Sequence, residues 1–222
     1  MLKFLNRTLK TSEIIISRVF FSGCGWNGGS IIGENLDYNI FDYEFFMLTG
    51  CCQSISVMTG HILYSKIKSN FRDINMNLEY KKSLQIGSAT FLSGYIWQPT
   101  VNFLENYDFS TISTITGLTC GTTFCTGLII TRYIFPLVKI TVDKNSSSTL
   151  KRDIGVSSSI AGATGLSVST DTTLTNNYMV DYFGITTDYT VMDSLIMAGT
   201  VNACGFFALQ TLQNMKRNTW LD

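Results

Sequence analysis

The side chains that could do chemistry are few. His61 is the only histidine in 222 residues, so a bis-histidine haem or a multi-histidine metal site is impossible within the chain. It stands near one end of an uncharged interval, where a helix cap or an interfacial hydrogen bond suits it better than ligation or proton transfer. The six cysteines are Cys24, Cys51, Cys52, Cys120, Cys125 and Cys204, and no two have CxxC spacing. Cys120 and Cys125 are set about 140° apart around a helix. An iron–sulfur or zinc centre is therefore not expected, and small apolar packing accounts for most of them. Cys24 with Cys51 or Cys52 could close a disulfide in an oxidising compartment. Gly-rich phosphate loops, paired catalytic acids and a Ser-His-Asp set are all missing. The expectation is no catalytic, cofactor or metal residue, and a protein that is not an enzyme.

The elements that would carry such residues are announced by charge. Sixteen basic and sixteen acidic residues cancel, and the charged fraction is 14% where about 25% is usual. Zero net charge and a pI of 6.6 argue against a nucleic-acid partner, which needs a basic face. The charges fall in blocks between long uncharged intervals. The best such intervals are 45–65, between Glu44 and Lys66, where only His61 could charge, then 83–104, 109–131, 154–170 and 194–215. Each approaches the length needed to cross about 30 Å of hydrocarbon. The fourth, IGVSSSIAGATGLSVST, is the shortest and most polar.

Taken as crossings of alternating direction, these intervals sort the charge. Lys66, Lys68, Arg72, Lys81, Lys82, Arg132, Lys139, Lys144, Lys151, Arg152, Lys216 and Arg217 fall on one side. Glu34, Asp37, Asp42, Glu44, Glu105, Asp108, Asp171, Asp181, Asp188 and Asp193 fall on the other, with no Lys or Arg. The positive-inside rule then gives an all-α, polytopic transmembrane protein of five spans, with a possible sixth. Asn6 and Asn145 fit the glycosylation pattern, but no modification is expected at either. Glu105, Asp108 and Asp193 read as solvated loop residues rather than a vestibule.

Three parts follow: an amino-terminal amphipathic or interfacial segment over 1–43, a transmembrane helical domain over 44–216, and a short polar tail over 217–222. The first part interleaves Lys3, Arg7, Lys10 and Arg18 with apolar residues, as an interfacial helix or a targeting segment does. Its uncharged run 19–33 reads equally as a short span or a glycine-rich loop. Small residues four apart share a helix face, so Gly117 with Gly121, Ala161 with Gly165, and Gly199 with Ala203 are expected packing surfaces. Ser56 with Gly60 has the same spacing, and Gly127 extends the Gly117 stripe. Asn202, in the middle of the last interval, needs an amide partner on another helix. Pro99 should kink or end the second helix, with Gln98 helping to satisfy the freed carbonyls, and Pro136 should close the third.

The stretch GSATFLSGYIWQPTVNFLENYDFSTISTITGLTCGTTFCTGLII, Gly87 to Ile130, resembles the mitochondrial inner-membrane protein translocase family. That family also includes an accessory membrane subunit of respiratory complex I. Its members have a small-residue helix, a short charged link and a glycine-rich second helix. They usually have four helices and a basic connector, whereas the link here, Glu105 to Asp108, contains no Arg. The resemblance implies a structural accessory subunit of a large respiratory assembly in the mitochondrial inner membrane, its basic loops and C-terminus facing the matrix. The partners would be other membrane subunits and anionic lipids. Bound phospholipid or cardiolipin would sit at Lys66, Lys68, Lys81, Lys82, Lys151 and Arg152. A small channel or carrier, or a virion membrane or shell protein, would share the same composition.

Overall fold

The computed structural model describes residues 9, 11–137, 153–165 and 191–219, and every regular element among them is helical. The chain is helical from residue 11, and a π-helical turn, Ile15–Val19, leads into α1, Phe20–Asn35. There follow α2, Tyr43–Ser69, α3, Met76–Phe103, and α4, Phe109–Leu137. Helix α5 covers 153–165 and α6 covers Val191–Thr219. Helix α6 thus continues past residue 216, and α2 begins at the boundary drawn at 43.

Local chemistry sets several of the ends. Helix α1 stops in a Schellman arrangement: Asp37 has a φ of 57°, and Tyr38 N donates back to Gly33 O at 3.0 Å, satisfying a terminal carbonyl. The Asn75 side chain caps α3 by accepting from Leu78 N at 3.2 Å. Asp108 caps α4 by accepting from Thr111 N and from the Ser110 and Thr111 hydroxyls. These bonds hold its exposed carboxyl down at about 2. Pro99 does not end α3, which runs on to Phe103, and Pro136 lies in the last turn of α4. Gln98 donates to Asn102 Oδ1 at 2.8 Å rather than to a freed carbonyl.

Consecutive helices pack side by side, α1 on α2, α2 on α3 and α3 on α4. Helix α4 meets α5 through Gly117 and Gly121. Helix α5 meets α6 where Gly162 faces Leu209 and where Gln210 reaches Gly155 O. Helix α6 returns to α1, where Gly199 lies against Phe20 and Cys24. The six described helices therefore close a ring, α1 against α6. A small apolar core of Ala89, Phe124 and Leu128, flanked by Ile86, Val156 and Ile160, joins α3, α4 and α5.

The expectation of five or six membrane spans is overturned. Among the described residues only two helices are long and apolar enough to cross a membrane. They are α2 and the Ser110–Leu137 part of α4, whose most apolar 18-residue stretches have mean hydropathy 1.2 and 1.3. A packed bundle helix can meet the same criteria. The error was to equate absence of charge with apolarity: α3 and α6 are uncharged over long stretches because Ser, Thr, Asn, Gln and Gly fill them. Residues 19–33 are neither a loop nor a span long enough to cross, but part of an N-terminal helix whose glycines face inward.

The sorted charges do not by themselves require a membrane. In an antiparallel bundle, alternate loops share an end whether or not a membrane is present, and here bases and acids at one end neutralise each other. Lys68 pairs with Glu13, Lys82 with Glu79 and Arg132 with Asp153. Location in the mitochondrial inner membrane, with matrix-facing loops and a respiratory role, loses its basis with the spans.

Candidate functional site

One buried polar network stands out, and it is centred on His61. The residue lies in the second half of α2, where the Gly60 Cα opens room for the Phe21 ring and Ser17 O of the preceding segment. That close approach brings the π turn against α2 and puts Arg18 beside the imidazole. Arg18 Nε donates to His61 Nδ1 at 3.2 Å. From the other side α3 supplies Glu79, whose Oε2 stands 3.0 Å from His61 Nε2. That contact is close but poorly aligned, so Nε2 lacks a well-formed hydrogen bond. Ser65 Oγ donates to Glu79 Oε2 at 3.3 Å, and Lys82 Nζ donates to Oε1 at 2.8 Å.

His61 is 4% exposed, and burial is the first reason that its pKa is lowered, to about 4. The Arg18 and Lys82 charges push the same way, and only Glu79 opposes them. Burial alone would raise the Glu79 carboxyl, but the Lys82 hydrogen bond and charge, with the Ser65 hydroxyl, hold it below its usual range. Because Arg18 can only donate, Nδ1 must present its lone pair. The neutral ring is therefore the Nε2–H tautomer, with its proton towards Glu79. A single imidazole of fixed tautomer, surrounded by two cations and a carboxylate, can take up a proton and answer it by changing partners.

The other polar groups are packing devices. Ser93 Oγ donates to Cys120 O at 3.1 Å while Cys120 Sγ donates to Ser93 O at 3.5 Å, tying α3 to α4. Burial pushes the Cys120 thiol up to about 12, which removes it as a nucleophile at ordinary pH. Cys24 Sγ donates to Leu195 O at 3.2 Å and is a free thiol, as are Cys51 and Cys52. No group of His, Cys, Asp and Glu able to hold a metal ion occurs among the described residues. An open groove of about 410 Å3 lies between α3 and α4, lined by Phe91, Leu92, Ile130 and Ile134 and edged by Ser54 of α2.

The residues singled out in the sequence divide between seams and surface. Gly117 and Gly121 lie against Ala161, and Gly165 against Ser113 O. Gly127 lies against Ala89, and Gly199 against Phe20 and Cys24. Asn202 projects towards Gly23 of α1, and Ala203 is half-buried on the same helix. Lys68 and Lys82 are engaged with Glu13 and Glu79, whereas Lys66 is exposed and Lys81 half-buried. Lys151, Arg152, Asn6, Asn145 and the end of the fourth interval, 166–170, lie outside the described residues.

Sequence reasoning missed Arg18, Ser65 and Glu79 as partners of His61. The signal was present only in part: Ser65 stands one turn beyond His61, while Arg18 and Glu79 come from other segments. It also missed the glycines of α1, where Gly25, Gly29 and Gly33 follow one another at intervals of four and press on Cys52, Thr49 and Phe45.

No family model matches the chain, and neither a curated protein nor a solved structure matches it. The likeness of Gly87–Ile130 to inner-membrane translocases stays without support from these comparisons.

Proposed function

We propose that this chain is a structural subunit of a larger assembly, working by helix-to-helix contact with partner proteins rather than by catalysis. One observation carries the reading: the distribution of side chains runs opposite to that of a self-sufficient globular core. Nine hydrophobic residues are buried among the described ones, against twenty-eight exposed large hydrophobics. The buried positions are largely Ser, Thr and Gly, which let helices approach closely, while Ile55, Leu63, Ile67, Leu84, Leu118 and Phe207 point outward. Exposed apolar area on this scale is a mark of interaction surfaces. The exposed Lys66 and the half-buried Lys81 are where anionic phospholipid would be held in such an assembly.

The test is isolation under mild conditions, followed by mass determination of the intact particle. The chain should travel with other polypeptides. Replacing Ile55, Leu63 and Ile67 on the exposed flank of α2 with Gln should release it while its helicity persists. Recovery as a lone monomer, with that triple variant behaving identically, would refute the proposal.

A further inference from the structure

One imidazole joins three segments: Arg18 belongs to the π turn, His61 to α2, and Glu79 with Lys82 to α3. The Arg18 bond exists only while Nδ1 is unprotonated. A proton added there sets donor against donor and cation against cation. The same proton strengthens the opposite side of the ring, where the Glu79 carboxylate waits at 3.0 Å.

We infer that His61 is a proton-driven latch: neutral, it ties the Ile15–Val19 turn to α2 through Arg18; protonated, it repels Arg18, pairs with Glu79 alone and lets that turn loosen. The groups that face it decide the balance. From the π turn Arg18 opposes protonation, and from α3 Lys82 opposes it while Glu79 favours it. On α2, Ser65 is engaged with Glu79, and further along Lys68 is paired with Glu13. Burial adds to the opposition, so the latch releases only in acid.

The loosening is bounded on both sides. Before the turn, Glu13 is fastened to Lys68. After it, Ser56 Oγ donates to Phe21 O at 2.7 Å and Gln53 Nε2 donates to Ser22 Oγ at 2.7 Å. Between these fasteners the buried Ser17 still packs its carbonyl on Gly60, so losing the Arg18 bond to His61 loosens the turn without detaching it. That segment is wound as a π helix, a geometry that recurs at functional positions.

Since His61 is the sole histidine, nitrogen-15 labelling of histidine in the full chain gives one imidazole to follow. The expected spectrum at about pH 7 shows the Nε2–H tautomer, and the ring should titrate clearly below the ordinary midpoint of about 6.5. Hydrogen exchange, compared at about pH 7 and about pH 4 after correction for intrinsic rates, should lose about tenfold protection at residues 15–19. That is the scale of one lost charge-assisted hydrogen bond. Amides of α4 should keep their protection, and His61→Gln, which accepts from Arg18 at any pH, should abolish the difference. An Nδ1–H tautomer or a midpoint at or above 6.5 would overturn the latch, and both are read on the native chain whether or not the variant folds. So would acid loosening that persists in His61→Gln.

Discussion

The two ends of the ring's contact network are held by opposite means. Around His61, three segments meet through directed bonds among Arg18, Glu79, Lys82 and Ser65. Between α4 and α5 an Arg132–Asp153 pair fastens one end, and along the seam beyond it Gly117 and Gly121 let the backbone of one helix rest on Ala161 of the other. The first contact is set by charge state as well as by the close approach at Gly60. The second, along its glycine seam, is set by volume. A bundle poor in large buried side chains needs both, because neither hydrophobic filling nor ion pairing alone could align six helices.

The sharpest way to break the comparison is to fill the glycine seam. A Cβ at Gly117 would come within 2.2 Å of Ala161 O, a backbone atom that cannot turn aside. Gly117→Leu should cost about 3 kcal/mol or more, read as a drop in thermal midpoint of the same size at every pH between 4 and 8.

Acid should do the reverse, sparing the seam and weakening the network. The folded chain holds His61 neutral down to about 4, while the unfolded chain takes up the proton below about 6.5. More protons bound in the unfolded state means stability that is complete above about 6.5 and falls as pH drops towards 4. Denaturant titrations across that window should show the slope in the native chain and a shallower one in His61→Gln.

Removing the carboxylate tests whether Glu79 or the imidazole organises the network. Glu79 is 16% exposed at its side chain, and Glu79→Gln leaves Lys82, 34% exposed, without its counter-charge. The expected loss is about 2 kcal/mol by chemical denaturation, discounted from the fully buried case. The smallest effect belongs to a single hydroxyl. Ser93→Ala removes one bond from the Ser93–Cys120 exchange and should cost about 1 kcal/mol. A loss as large as that of Glu79→Gln would mean that a neutral hydroxyl bond between α3 and α4 matters as much as the charged network.

Much of the helical content was legible, and its meaning was not. The uncharged intervals do mark helices because antiparallel bundles place their charges at the ends of elements. They do not mark lipid crossings, because Ser83, Gln85, Ser88, Thr90 and Ser93 make α3 neutral without making it apolar. The spacing of Gly117, Gly121, Ala161 and Gly165 is written in the sequence, but their mutual pairing is a tertiary fact. The His61 network was hidden for the same reason: Arg18 is 43 residues away from its acceptor, and no local period connects them. The glycines of α1 misled in the other direction, since four-residue spacing on a helix was outweighed by the general association of glycine with loops.

Closure of the ring also bears on how the molecule comes to be made. Cys24 finds its acceptor at Leu195, 171 residues downstream, and Gly23 rests on Ala198 of the same final helix. During synthesis, then, one flank of α1 stays uncovered until α6 has emerged. A ribosome-bound intermediate that lacks α6 has an open notch on α1, the moment at which a nascent chain is most open to chaperones or to mispairing with a neighbour.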